Sequence, residues 1–354
     1  MEKKKIELEQ AVIDFSEIPY ERKLEERALF PYSDLNKLTG GIVKGTLTAV
    51  VADAGAGKTT MISDVISQML SDNDKVFAMF GEGTLKEQQD KMYRQMAPRD
   101  GMSYDYVPYY KNGVKTNIGS YFVGRDAEDY VRKYTKGKLY LYDIRRGMKV
   151  TDIVEAIEYA IQRYGVGYVV LDNSSQIETV TNDETKELKE SFEILRQLAI
   201  TKKIGIIVLA HFRKQTDVTK FRRDMTEIIG TSALSQKGAA VISLYRMDYV
   251  DRSTQYYKAF HRMMSENGWD LEETETDGRY KISSVAEVLK ARSDNGQLGF
   301  CCLSFDKISQ CYKQVDKGDA NSSLFIKPTI KREPKPSDGL FDNLTEDTDS
   351  DLPF

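Results

Sequence analysis

The chain has 354 residues, 40% of them hydrophobic, and 51 Lys and Arg against 55 Asp and Glu leave a formal net charge of −4. That length supports one large domain with appendages better than two equal ones. The charge balance excludes a globally basic nucleic-acid binder, so any such contact must come from local clusters.

No run of eighteen apolar residues occurs and no signal core follows Met1–Lys5, so a soluble, cytoplasmic protein with no membrane partner is expected. Cys301, Cys302 and Cys311 have the spacing of neither a zinc site nor a disulfide framework. They are expected to be apolar residues of a C-terminal strand region.

In chain order, residues 1–31 are charged, with an imperfect apolar stripe at Ile6, Leu8, Val12, Ile13 and Phe15 ahead of Pro19. They read as an N-terminal helical arm that needs a surface to dock on. Over residues 32–316, strand-like runs alternate with helical patterns: Leu47–Val51, Val76–Phe80, Leu139–Tyr142, Tyr168–Leu171, Ile204–Ala210 and Ala240–Leu244. This alternation predicts an α/β domain with a mostly parallel central sheet covered by helices.

Residues 97–138, rich in Tyr, Gly and charge, read as insertions and surface helices. Residues 250–281 are polar and contain Asn267-Gly268 and Asp277-Gly278, dipeptides that favour tight hairpin turns. Residues 317–354 are expected to be a disordered acidic tail, because Pro334 and Pro336 stop regular structure and six acids but no base follow Lys335. The tail ends Asp351-Leu352-Pro353-Phe354. It either solvates the chain or, given its terminal aromatic residue, is a short partner-binding peptide; the second is the expectation.

Ala52-Asp53-Ala54-Gly55-Ala56-Gly57-Lys58-Thr59-Thr60 lies between an apolar run and an amphipathic helix, the setting of a phosphate-binding loop. The small residues Ala54 to Gly57 let successive backbone N–H groups converge on phosphate oxygens at a helix N-terminus that extends through Thr60. Lys58 would reach the β and γ phosphates, and the Thr59 hydroxyl would sit on Mg²⁺. The alternative is a bare Gly-rich turn. Ala52 stands where the usual pattern begins with glycine; a tight turn tolerates alanine there, whereas a positive φ would disfavour it.

Asp172 closes the run from Gly167 to Leu171, where a carboxylate holds the Mg²⁺ shell. Glu82 follows another strand and is the candidate base for the attacking water, or else a first-turn acid of the next helix. His211 ends the run Ile204–Ala210, placed either to sense a γ phosphate or to serve structure alone. Beyond it, Arg213, Lys214, Lys220, Arg222 and Arg223 fall within eleven residues. This is a basic loop suited to a polyanion, or a solvated charge run.

The order of Ser33-Asp34-Leu35-Asn36-Lys37-Leu38-Thr39-Gly40-Gly41, the phosphate loop, Glu82, Asp172, His211, Thr226–Leu234 and Leu289–Gly296 resembles the RecA-fold motor of hexameric replicative helicases. These are the bacterial DnaB type and the helicase half of phage primase-helicases, relatives of the mitochondrial Twinkle helicase. The resemblance covers residues 30 to 315. It implies a RecA-like P-loop ATPase core that uses ATP or another NTP with Mg²⁺, with Lys58 and Thr59 on the nucleotide, Asp172 on the metal, Glu82 as base and His211 as phosphate sensor.

The resemblance further implies that Lys290 and Arg292 reach a neighbouring subunit's γ phosphate as an arginine finger, and that Arg246 and Phe305 sandwich the base. It also implies that the arm packs on the adjacent subunit, that the basic loop grips single-stranded DNA in a ring pore, and that the tail docks a replication protein such as a DNA polymerase. With no primase domain, zinc motif or helical collar ahead of the motor, the expectation is a stand-alone phage or mobile-replicon helicase acting in the host cytoplasm. The alternatives are a RecA-like recombinase or mediator forming filaments on DNA, and a helicase-derived loader that unwinds nothing.

Overall fold

Strands buried on both faces are apolar without alternation, and five of the six apolar runs in this chain form the interior of one sheet, with Leu139–Leu141 at its edge. The structure is a computed structural model that describes residues 14–17, 25–82, 84–97, 104–178, 184–213, 222–229, 238–247, 254–269, 275–276, 279–280, 282–292, 296–306 and 309–316. Most of the N-terminal arm, Lys214, Lys220, the segment from Gly230 to Leu234 and the tail from 317, with Asp351 to Phe354, lie outside the described residues.

β1 (Arg27–Ala28) pairs with β2 (Ile42–Val43) around α1 (Ser33–Thr39). The core then follows as β3 (Leu47–Ala52), α2 (Lys58–Ser71), β4 (Val76–Phe80) and α3 (Leu85–Met96). A hairpin of β5 (Tyr104–Lys111) and β6 (Val114–Val123) comes next, then α4 (Arg125–Thr135), β7 (Leu139–Leu141), α5 (Val150–Tyr164), β8 (Tyr168–Asp172), α6 (Glu184–Lys202) and β9 (Gly205–His211). β10 (Ala240–Arg246), α7 (Gln255–Glu266), the short pair β11 (Glu275–Thr276) and β12 (Arg279–Tyr280), β13 (Ser284–Ala291), β14 (Gly299–Phe305) and β15 (Tyr312–Gln314) complete it.

The central sheet has the order β15-β14-β13-β10-β3-β9-β8-β4-β7. The strands from β10 to β7 are parallel, and β13 to β15 extend the sheet antiparallel. The expected mostly parallel α/β core is therefore present. Alternate residues of each strand go to opposite faces. Val50, Val170, Leu209 and Ile242 meet Met61, Ile62, Val65 and Met69 of α2 and Met92 of α3. Val51, Leu171, Val208 and Val241 meet Ile153 and Ile157 of α5 and Phe192 and Leu195 of α6. α7 covers the antiparallel end, where Phe260 and Met264 pack on Tyr245, Val285 and Cys302.

Two local expectations change. Residues 104–123 form a long two-stranded hairpin where insertions and surface helices were expected; α4 is the helix of that region. Asn267-Gly268 closes α7 instead of turning a hairpin: Asn267 is the C-cap and Gly268 has φ 75°. Asp277-Gly278 lies outside the described residues, although the flanking β11 and β12 pair antiparallel. Cys301 and Cys302 sit in β14 and Cys311 precedes β15; all three are buried and in no disulfide.

Candidate functional site

Parallel strands deliver their carboxyl ends to one edge of a sheet, and loops leaving neighbouring strands there build a crevice. In this fold β10, β3, β9, β8 and β4 are adjacent, so Arg246, the phosphate loop, His211, Asp172 and Glu82 arrive at that edge from consecutive strands. Register aligns them: Ala52 pairs with His211, and Phe80 with Asp172.

The phosphate loop leaves β3 after Ala52, which is buried in the strand. Positive φ occurs at Gly55 (75°) and Gly57 (93°), the latter capping α2. Ala52 therefore meets no left-handed requirement, and the missing first glycine has a structural reason. Ala52→Gly is expected to lower stability by about 0.5–1 kcal/mol in denaturant titrations, without tightening nucleotide binding.

Lys58 is buried and donates to the carbonyls of Ala52 and Asp53, both at 3.1 Å, while its Nζ lies 3.0 Å from His211 Nδ1. Burial lowers its pKa to about 8, against the opposing pull of Asp172, Glu82 and Asp53. A triphosphate held by Lys58 would favour the protonated ammonium and restore its ordinary pKa, so binding would take up a proton above about pH 8. MgATP affinity is thus expected to be flat from pH 6.5 to 7.5 and to weaken above pH 8, by up to about tenfold per pH unit. Calorimetry across pH 6.5–9.5 measures this, and a flat profile would contradict it.

Burial raises the pKa of Asp172, with the neighbouring Thr59 hydroxyl and the Lys91 and Lys58 ammonium groups opposing it. An alcohol and a carboxylate are hard oxygen donors suited to Mg²⁺. Among the described residues no group of three or more His, Cys, Asp or Glu could hold a metal ion.

Glu82 is exposed, and the first-turn acid of α3 is Glu87: its backbone N–H donates to Thr84 Oγ1 at 3.2 Å while its carboxylate accepts from the Thr84 backbone at 2.6 Å. That capping box removes the structural alternative for Glu82. Gln88 Nε2 fixes the Glu82 carbonyl at 2.8 Å. Asn173, next after Asp172, donates from Nδ2 to Glu82 Oε1 at 2.8 Å and lies 3.2 Å from His211 Nε2. Burial, then the Lys58 ammonium, lowers the His211 pKa. A neutral imidazole accepts at only one nitrogen, so His211 takes a hydrogen bond from Lys58 or from Asn173, not both. Asn173 and Gln88 escaped the sequence reading; a polar residue directly after a strand-end carboxylate was the available signal for Asn173.

Arg246 stacks its guanidinium 5.5 Å from the Phe305 ring centroid and donates to the Gly55 carbonyl at 3.4 Å, so the two residues assigned to the base are together beside the phosphate loop. Lys290 and Arg292 are elsewhere. β13 runs antiparallel to β10, with Arg246 opposite Ser284 and Ala240 opposite Ala291. That puts Lys290 and Arg292 at the amino-terminal end of the parallel strands, about 20 Å from the crevice at 3.3 Å per residue. A β-bulge between Val241 and Ile242 precedes them, and burial and the Arg292 charge lower the Lys290 pKa to about 8.

The basic loop needs one correction. Arg213 is exposed, but Arg223 is 3% exposed, stacked over Phe212 and ion-paired with Glu227 and Asp53. It holds the roots of the loop and is not offered to a phosphate backbone. Arg222 reaches out to pair with Glu287 of β13.

The sequence profile of the DnaB-like helicase C terminal domain matches residues 30–314. The chain belongs to that family. Replicative DNA helicase DnaC of Bacillus subtilis (strain 168) is 21% identical to this DnaB-like chain over 287 residues, 78% of the chain and 54% of that protein; the chain thus spans about half the length of this relative. Two solved structures share the fold. A DnaB-like replicative helicase, described with its interactions with primase, has a TM-score of 0.60 and 15% identity over 89% of this chain and 67% of that one. The ATPase domain of G40P has a TM-score of 0.60 and 16% identity, over 89% and 96% respectively. No helix among the described residues of the DnaB-like chain is long and apolar enough to cross a membrane.

Proposed function

We propose that this chain is an ATP-dependent replicative DNA helicase motor that assembles as a ring, in keeping with a hexamer, translocates on single-stranded DNA and unwinds duplex ahead of it. The observation that carries it is the division of the site. Lys58, Thr59, Asp172, Glu82 and His211 converge at one end of the sheet, while Lys290 and Arg292 lie at the other, out of reach of their own chain's phosphate loop, which supports a role across a subunit interface.

In this mechanism Lys58 leaves the Ala52 and Asp53 carbonyls for the β and γ phosphates, and the backbone from Ala54 to Thr60 cradles them. Thr59 and Asp172 are the residues that would hold Mg²⁺, which would supply charge neutralisation on the phosphates. Glu82, oriented by Asn173, takes the proton of the attacking water as the bond from the β–γ bridging oxygen to the γ phosphorus breaks. Arg246 and Phe305 hold the base, and the partner's arginine stabilises transition-state charge. Once Lys58 turns to phosphate, His211 is released to accept from Asn173, which links loop occupancy to Glu82 and to the basic loop after His211.

DNA contact in this proposal comes from Arg213, Lys214, Lys220 and Arg222. The arm closes the ring, and the tail through Asp351, Leu352, Pro353 and Phe354 docks a replication protein such as a DNA polymerase. Family membership favours this reading over a recombinase or a loader. The deciding experiment measures ATP-dependent unwinding of a forked duplex while imaging the particles. Closed rings that unwind support the helicase; filaments that pair strands, or rings that hydrolyse ATP without unwinding, overturn it.

A further inference from the structure

Gly57 and Asp64 are seven residues apart on α2, two helical turns on one face, and β15 lies along that face. Asp64 is 1% exposed, and its Oδ2 accepts from the Tyr312 backbone N–H at 2.7 Å and from the Tyr32 hydroxyl at 3.0 Å. The Tyr312 side chain, 5% exposed, then runs to the phosphate loop: a Cβ at Gly57 would collide with its hydroxyl. Its ring also meets Phe305 at 5.2 Å between centroids. The turn before β15 is pinned as well, because Gln95 of α3 donates to the Thr60 carbonyl at 3.0 Å and to the Gln310 carbonyl at 2.7 Å.

Gly57 therefore has two reasons to be glycine, its φ of 93° and the tyrosine against it. The tyrosine is anchored at its backbone by a buried acid that nothing else in the proposed chemistry employs. We propose that Tyr312 is a positioning residue of the nucleotide site: braced by Asp64 and by Phe305, it sets where Gly57 stands and so fixes the phosphate-binding loop. This rests on the proposed nucleotide-binding reading and adds to it a dependence of the phosphate grip on the strand beyond the base shelf. Loss of the brace lets the N-terminus of α2 drift, and a displaced N–H cradle loses phosphate affinity whatever base is attached.

Calorimetric titration of the full chain with MgATP and, separately, with magnesium tripolyphosphate tests this. Tyr312→Leu is expected to weaken both ligands by the same factor, about tenfold. Tyr312→Phe, which keeps the ring and loses only the hydroxyl, should weaken both by about threefold. Weaker ATP with unchanged tripolyphosphate would make Tyr312 a base contact and overturn the proposal. A lowered unfolding midpoint with both affinities unchanged would make it core packing only, and would overturn it too. Wild-type protein that binds neither ligand would instead overturn the nucleotide-binding reading itself.

Discussion

Glu82→Gln will lower kcat for ATP hydrolysis by about 10³-fold and leave MgATP affinity unchanged within about threefold. Glutamine keeps the shape and the oxygen that accepts from Asn173 Nδ2 at 2.8 Å, so geometry survives while basicity is lost. Because Glu82 is exposed and α3 is capped by Thr84 and Glu87, the substitution removes no structural contact of the helix. Asn173→Ala should cost less, about tenfold, since the base remains and only its aim is lost. Single-turnover kinetics separates chemistry from binding. A Glu82→Gln protein with wild-type kcat would remove Glu82 as the base, and a fall in affinity equal to the fall in kcat/KM would make it a binding group.

The residues legible in the sequence are those whose position follows from strand polarity. An apolar run that ends in a polar residue, in a parallel sheet, puts that residue at the ligand edge, which is why Lys58, Asp172, Glu82 and His211 arrive together. The six parallel strands are legible for the same reason, as continuous apolar runs. β13 and β15 are not, and β14 shows only as a C-terminal strand region around Cys301 and Cys302, because polar and apolar residues mix there and the antiparallel register follows from tertiary pairing. The β5–β6 hairpin is hidden by Pro108 within β5 and by exposed tyrosines on both sides of it, a pattern with neither helical nor simple strand period. Asn267-Gly268 supplies a positive φ that a hairpin and a helix end use equally well, and only the preceding amphipathic helix decides. Arg223 shows the limit of a charge run: composition counts its charge, but not the Phe212 ring and the Glu227 carboxylate that draw it inward.

Arg292→Ala will lower ATP turnover by about 10³-fold while leaving nucleotide affinity and assembly intact, because Arg292 is exposed at the end of β13 and lies far from its own chain's phosphate loop. Low activity alone does not show that the residue acts across an interface; mixing does. On the proposed division of the site, Lys58→Ala would lack the cis half and Arg292→Ala the trans half, so each is expected to be inactive by itself. In an equimolar random ring of head-to-tail subunits, about a quarter of the interfaces join an intact phosphate loop to an intact Arg292. The mixture should therefore recover a substantial fraction of wild-type turnover, up to about a quarter if interfaces fire independently, and less if hydrolysis must pass round the whole ring. No recovery at all in rings shown to contain both variants would place Arg292 in the same subunit's chemistry. That outcome conflicts with the antiparallel register that sets Ala291 opposite Ala240, at the end of the sheet away from Lys58.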